Sequence, residues 1–186
     1  MYYSQGELYD AGFSHVGERV RISKKCSLYS VSGAIGDDTR IDDFCILKGA
    51  FEIGSKVHIC SHSSLSAVGG VITIEALAGI GVNNIFYTTS DDLLVSALCG
   101  PLVARENTAT KSGDIFIGRG AALGGRVTVF PSVQIGEFTA VGVGGVVTTN
   151  LSPSSLYATI NGRLRRVAAR NHEQLARLAE LELGKS

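Results

Sequence analysis

Two histidines, a few carboxylates and a cluster of arginines carry most of the chemistry open to this chain. His58 and His62 lie four residues apart in a region of strong aliphatic periodicity, whereas His15 and His172 lie outside it and read as solvated side chains. An imidazole with an ordinary pKa of about 6.5 suits a general base at neutral pH. His58 precedes an aliphatic residue of that period, at a place where side chains point outward. Asp91 and Asp92 form an acidic pair in a stretch with no period at all. Such carboxylates can hydrogen-bond hydroxyls or orient a histidine. To act as a base near neutrality, one of them needs a pKa raised well above about 3.9 by burial or by its neighbour. Asp42 and Asp43 are a second pair, of which one is expected to face a site and the other to be structural. The base therefore stays open between His58, His62 and Asp91.

The elements that must position these groups follow from a repeat. Ile117, Leu123, Val129, Ile135, Val141 and Val147 are each six residues from the last. Four places after each of the first five comes a small or β-branched residue: Ala121, Val127, Val133, Thr139, Gly145. A period of six fits neither a helix nor simple strand alternation; it marks a hexapeptide β-helix, each hexad forming one flat side of a three-sided coil. The same spacing runs through Val16, Ile22 and Leu28, then Ile35, Ile41, Leu47, Ile53, Ile59 and Leu65, and after an insertion at Gly69-Gly70 through Ile74 and Ile80. There the pattern is read as stopping. Residues 82–114 form a long aperiodic arm carrying Asn84, Tyr87, Asp91 and Asp92, and arms of this length in a compact domain are usually functional.

The ends complete the layout. Ser4 with Glu7 reads as a capping box and Gly12 as a stop, so residues 4–12 form a short helix within a cap spanning 1–15. Phe13 then covers the open end of the first coil. The β-helix spans 16–151, and 152–186 is expected to be a helical tail with Leu164, Val167, Ala168, Leu175 and Leu178 on one face. The fold class is thus all-β, with one helix at each end and an inserted arm.

Composition narrows the partners. Lys plus Arg equals Asp plus Glu, 17 each, so neither nucleic acid nor an anionic membrane is indicated. The N-terminus lacks a signal-peptide pattern and no apolar run approaches a membrane span, which points to a cytoplasmic protein. Cys26, Cys45, Cys60 and Cys99 show no CxxC spacing, so no metal site or disulfide framework is expected. The 23 glycines are assigned to corners that need φ > 0.

Several segments carry a family resemblance: Glu7-Leu8, Gly12-Phe13, Val16-Gly17, Arg40-Ile41-Asp42-Asp43-Phe44, Val57-His58-Ile59, Ser90-Asp91-Asp92 and Val141 to Thr148. Together with the hexads, which cover about two thirds of the chain, they resemble the hexapeptide-repeat acyltransferases, in particular the bacterial sugar O- and N-acetyltransferases. The resemblance implies a left-handed parallel β-helix, a homotrimer, acetyl-CoA in a groove between neighbouring coils, and a sugar or nucleotide-sugar acceptor near the arm. It places CoA along Gly124, Gly125, Gly142, Gly144, Gly145 and Thr148, with Arg163, Arg165 or Arg166 as counter-charges to its phosphates. It places the acceptor by Asn84, Tyr87, Asp91, Asp92 and Asp43, on a hydroxyl or amino group, and no metal is implied. The chain departs from the family where a sugar O-acetyltransferase carries its loop histidine, because Tyr87-Thr88-Thr89-Ser90 leads instead to Asp91. His58-Ile59 is similar to the His-Ile run of the lipid A acyltransferases. Two other readings remain: a trimeric scaffold without a base, and a γ-class carbonic anhydrase-like enzyme, which needs three histidines around zinc.

Overall fold

The computed structural model describes residues 1–185. Short parallel strands stack into a solenoid whose inner surface is the hexad series. On one face Ile22, Ile41, Ile59, Ile80, Leu123 and Val141 lie one above another in register. Each is at most 3% exposed, so the interior is one continuous aliphatic ladder. A dry ladder of this kind stabilises by roughly 25 cal/mol per Å² of apolar surface removed from water. Inward polar side chains bond within the coil: Thr39 Oγ1 donates to the Gly54 carbonyl at 2.8 Å and Thr139 Oγ1 to the Ser152 carbonyl at 2.6 Å.

Helix α1, Gln5–Ala11, closes the first coil with the expected capping box at Ser4 and Glu7. Leu8 and Phe13 are buried beneath it. Three expectations need correction. The hexad series does not stop at Ile80, because Phe86, six further on, is fully buried and pairs in register with Val129 of the next turn. The excursion is accordingly shorter than 82–114. Phe86 and Ile117 are 31 residues apart, where six separate their stacked partners Val129 and Ile135, so 25 residues are looped out. Its stem is an antiparallel ribbon, Thr89–Asp91 against Thr110–Ser112.

The tail is not helical throughout. Ser155–Ile160 continues the coil face beside Ala140–Val141, then folds back antiparallel on Arg163–Ala169. Asn161 and Gly162, with φ of 50° and 72°, make the two-residue turn whose backbone twist matches a hairpin. Only His172–Leu183 is helical (α2), capped by Asn171. α2 runs down one corner of the coil, held by Arg119 to Glu180 at 2.6 Å and by the Lys56 ammonium on the Glu182 carbonyl. No helix among the described residues is long and apolar enough to cross a membrane.

Glycine has a different job from the one expected. Corners with φ > 0 are occupied mainly by other residues, among them Asp38, Phe44, Lys56 and His62. At Gly36 and Gly118, by contrast, a Cβ would meet the backbone nitrogen of the next coil at 2.6 and 2.5 Å. Close stacking of coils, more than corner geometry, demands glycine there.

Candidate active site

The coil builds one constellation by itself. In a strand, residues two apart share a face, so His58 and Cys60 stand outward on either side of buried Ile59. Asp42, one coil below, donates its backbone N–H to the Ile59 carbonyl at 3.0 Å and so stands beside them. His58 Nε2 lies 2.9 Å from Asp42 Oδ2, and Arg40 Nε donates to Asp42 Oδ1 at 2.6 Å. Burial pushes the Asp42 carboxyl up, but the hydrogen bonds from His58 and Arg40 outweigh it and hold it below the usual carboxylate range. An ionised carboxylate only accepts hydrogen bonds, so in the neutral imidazole this contact puts the proton on Nε2 and leaves Nδ1 as the acceptor. Burial, followed by the Asp42 charge, pushes the Cys60 thiol up.

From His58 the same face continues as a strip without large side chains. Gly79, Ala122 and Ala140 follow His58 in register, and the backbones of Gly81, Gly124 and Gly142 stack beside them. Such a floor lets a long thin ligand lie against the coil. The strip ends at the hairpin that bears the arginines. Arg163 and Arg165 are exposed on the side opposite Leu164, which packs against the core, and Arg166 Nε donates to Ser155 Oγ at 2.8 Å. Gly144 turns at φ +72° in open space, Gly125 sits at the corner by Val82, and Thr148 is exposed after the last inward valine. Gly145 is enclosed, where a Cβ would meet Val141 Cγ1 at 2.7 Å; its smallness serves packing, contrary to the expectation that it lines the groove.

The arm builds a second constellation. Between its stem and the coil lies a cavity of about 1030 Å³ lined by Val68, Gly69, Tyr87, Asp91, Arg105 and Phe130, among others. Tyr87 and Phe130 meet edge to face with ring centroids 5.6 Å apart, forming an aromatic wall. The partly buried Asp91 lines this cavity. A separate hollow of about 600 Å³ at the corner holds Glu75, Arg119 and Glu137. Its arginine pairs with Glu137 and with Glu180 of α2, and Glu75 accepts the Arg119 backbone N–H, contacts that fasten that helix.

Of four further expected residues, Asn84 and Asp92 lie away from both constellations, whereas Asp43 and His62 line a hollow of about 400 Å³ beside Asp42 and Arg40. Asn84 is fully buried inside the coil, its Nδ2 donating to the Gly81 carbonyl at 2.6 Å and its Oδ1 accepting from the Val127 N–H at 2.8 Å. It sits four places after Ile80, the inward slot of the hexad, and that spacing was the signal for it. Asp92 accepts from the Leu94 N–H at 3.1 Å and pairs with Lys111 at 3.1 Å, contacts that hold its carboxyl below the usual range and lock the stem. Asp43 is tied to Lys25 at 2.7 Å and Ser23 at 2.5 Å, which also hold it low, so Asp42 is the member of that pair that contacts His58 while Asp43 borders the same hollow. His62 turns a corner at φ 63° with its ring against Phe44, 5.0 Å between centroids, and is not part of the His58 pair. The metal-ligating cluster among the described residues of one chain, Asp42, His58 and Cys60, holds a single histidine.

No protein-family model matches the chain. It is 35% identical over 150 residues, 78% of each chain, to dTDP-4-amino-4,6-dideoxy-D-glucose acyltransferase of Escherichia coli. It is similar in structure to AntD, an N-acyltransferase from Bacillus cereus solved with dTDP and 3-hydroxybutyryl-CoA. That match has a TM-score of 0.86 and 36% identity, over 100% of this chain and 98% of that one. A hexapeptide-repeat acetyltransferase from Vibrio cholerae shares the fold at a TM-score of 0.60 and 22% identity, over 90% and 79% of the two chains.

Proposed function

The chain belongs to the hexapeptide-repeat acyltransferases, and from that premise we propose that it transfers an acyl group from an acyl-CoA to the amino group of a nucleotide-linked sugar. The observation that carries this reading is the likeness along the whole chain, arm and hairpin included, to an N-acyltransferase holding a nucleoside diphosphate and an acyl-CoA together. The small-residue strip suits the pantetheine arm, and Arg163 and Arg165 at its end suit the CoA phosphates. The cavity under the arm, with an aromatic wall and one carboxylate, suits a sugar and its base.

An amine attacks a thioester only as the free base. His58 Nδ1 accepts its proton as the C–N bond forms, the C–S bond breaks, and the CoA thiolate leaves. Asp42 anchors the imidazole and stabilises the imidazolium that results. Asp91 binds the acceptor and orients it.

In one protomer His58 and Asp91 belong to different faces. We therefore read the active unit as a homotrimer in which the arm of one chain meets the His58 face of its neighbour. Exposed Ile46, Ile85 and Val146 on a single face, alternating in register with Ser64 and Thr128, support burial against other copies. A nucleotide-sugar acceptor suits work in the cytoplasm, and acetyl is the simplest donor.

The test is to incubate the protein with dTDP-4-amino-4,6-dideoxyglucose, its 4-hydroxy counterpart and a panel of acyl-CoA donors, and to weigh the products by mass spectrometry. N-acylated nucleotide sugar with stoichiometric free CoA is expected. Acylation of the hydroxy sugar alone, or no product from any pair, contradicts the reading.

A further inference from the structure

We infer that Asp42, His58 and Cys60 form a binding site for a borderline-soft divalent cation, zinc above all, and that its occupancy silences the enzyme. Each residue offers one ligand atom, and these atoms lie within 4.8 Å of one another. Cys60 Sγ is 3.9 Å from His58 Nε2, and His58 Nε2 is 2.9 Å from Asp42 Oδ2. Tetrahedral zinc, with bonds of about 2.0–2.3 Å, sets sulfur and nitrogen about 3.6 Å apart and nitrogen and oxygen about 3.4 Å apart. Sγ is equally 3.9 Å from Nδ1, so the thiol faces the ring, and the imidazole must turn about its χ2 as well as shift to aim Nε2 at an ion shared with Sγ and Oδ2.

The scaffold favours this geometry. The ligands stand on adjacent rungs of a buried ladder, with Ile41 and Ile59 fixed beneath them. Arg40 holds one oxygen of Asp42 and leaves the other as ligand, the kind of outer contact that orients metal ligands. On the next coil up, Gly79 and Gly81 stand beside His58 and Cys60 with no side chains to cover a fourth position. A thiol, an imidazole and a carboxylate together select zinc-like ions over magnesium or calcium, which prefer all-oxygen sites. The Arg40 charge opposes the cation, and the thiolate formed on binding offsets it. The ion takes the place of the proton that His58 Nε2 now shares with Asp42. The proton from Cys60 is released to solvent, and the displaced Nε2 proton passes through solvent to Nδ1. That tautomer has no lone pair left for an ammonium proton. Silencing thus rests on His58 being the base; the binding does not.

The test uses reduced, metal-free, full-length Cys99→Ser protein, which removes the exposed thiol of the arm, with Co²⁺ as the optical probe. A thiolate-to-cobalt charge-transfer band with tetrahedral d–d bands is expected, saturating at about one Co²⁺ per chain and displaced by zinc. The band should vanish in Cys60→Ser. Affinity should fall at least about tenfold in Asp42→Asn. Absence of the band, or its survival in Cys60→Ser, overturns the site. Zinc should stop turnover of the parent, reversibly by chelator, while Cys60→Ser keeps working in the same zinc. Cobalt bound as expected with turnover unchanged overturns the silencing and counts against His58 as the base.

Discussion

The face of the coil and the arm solve the same problem, holding a polar group in place, in opposite ways. On the coil, Asp42 and His58 inherit their positions from buried Ile41 and Ile59, both fully excluded from water, and from backbone bonds to the coils above and below. On the arm, Asp91 is placed by a three-residue ribbon and by neighbours such as Asp92 and Lys111, while the tip leaves Leu94 and Leu102 89% and 99% exposed. A repeating coil gives fixed distances and little variety. An arm gives variety and borrows its rigidity from whatever it touches. A base needs the first and acceptor selection the second.

The largest effect that could break this division is at His58. His58→Ala should lower kcat about 10²–10⁴-fold, the usual cost of losing a general base, with acyl-CoA affinity unchanged in direct binding. Asp91→Asn should mainly raise KM for the acceptor. If Asp91→Asn abolishes turnover and His58→Ala does not, the base belongs to the arm and the division is reversed.

Stability should divide along the same line. Ile59→Ala removes a fully buried side chain and should cost about 2–5 kcal/mol in chemical denaturation. Leu102→Ser, at a fully exposed tip, should stay within about 0.5 kcal/mol. Equal losses would show that the tip is covered in solution. Smaller again is the effect at the hairpin: Arg163→Ala should raise KM for acyl-CoA and flatten its dependence on salt, with the acceptor KM unmoved.

The smallest expected effect sharpens the arm. Asp92 has its folded pKa lowered by the Leu94 N–H and by Lys111. Its contribution to the stem is therefore present above the ordinary carboxylate pKa of about 3.9 and is lost as pH falls through the lower folded value. Amide exchange at Leu94, corrected for its intrinsic rate, should rise on that acidification in the parent and be already raised at neutral pH in Asp92→Ala.

The coil was legible in the sequence because a buried ladder writes itself as a period: the aliphatics from Val16 to Val147 at hexad spacing are almost all buried. Two signals were present and outweighed. Asn161-Gly162, a hairpin turn pair, lost to the apparent helical spacing of Leu164, Val167 and Ala168, a pattern that the hairpin strand also carries. Asn84 falls on the inward slot after Ile80, but its polarity argued for a ligand role and hid its place in the core. The pairing of His58 with Asp42 could not be read at all, since the partners are 16 residues apart and meet only because one turn of the coil stacks on the next. The arm carries no period, so its ribbon and its cavity follow from long-range contacts alone.

The central claim is that each site joins the coil of one chain to the arm of another. It can be tested by mixing two damaged chains, His58→Ala and Asp91→Asn, during co-expression or refolding, and assaying at subsaturating acceptor. In a cyclic trimer with random assembly, about a quarter of the sites in an equimolar mixture should unite an intact His58 with an intact Asp91. The account predicts recovery of about that fraction of parental kcat/KM, well above the mean of the two separate proteins. Activity no greater than that mean would place both residues in one protomer's site, or neither in any, and contradict it.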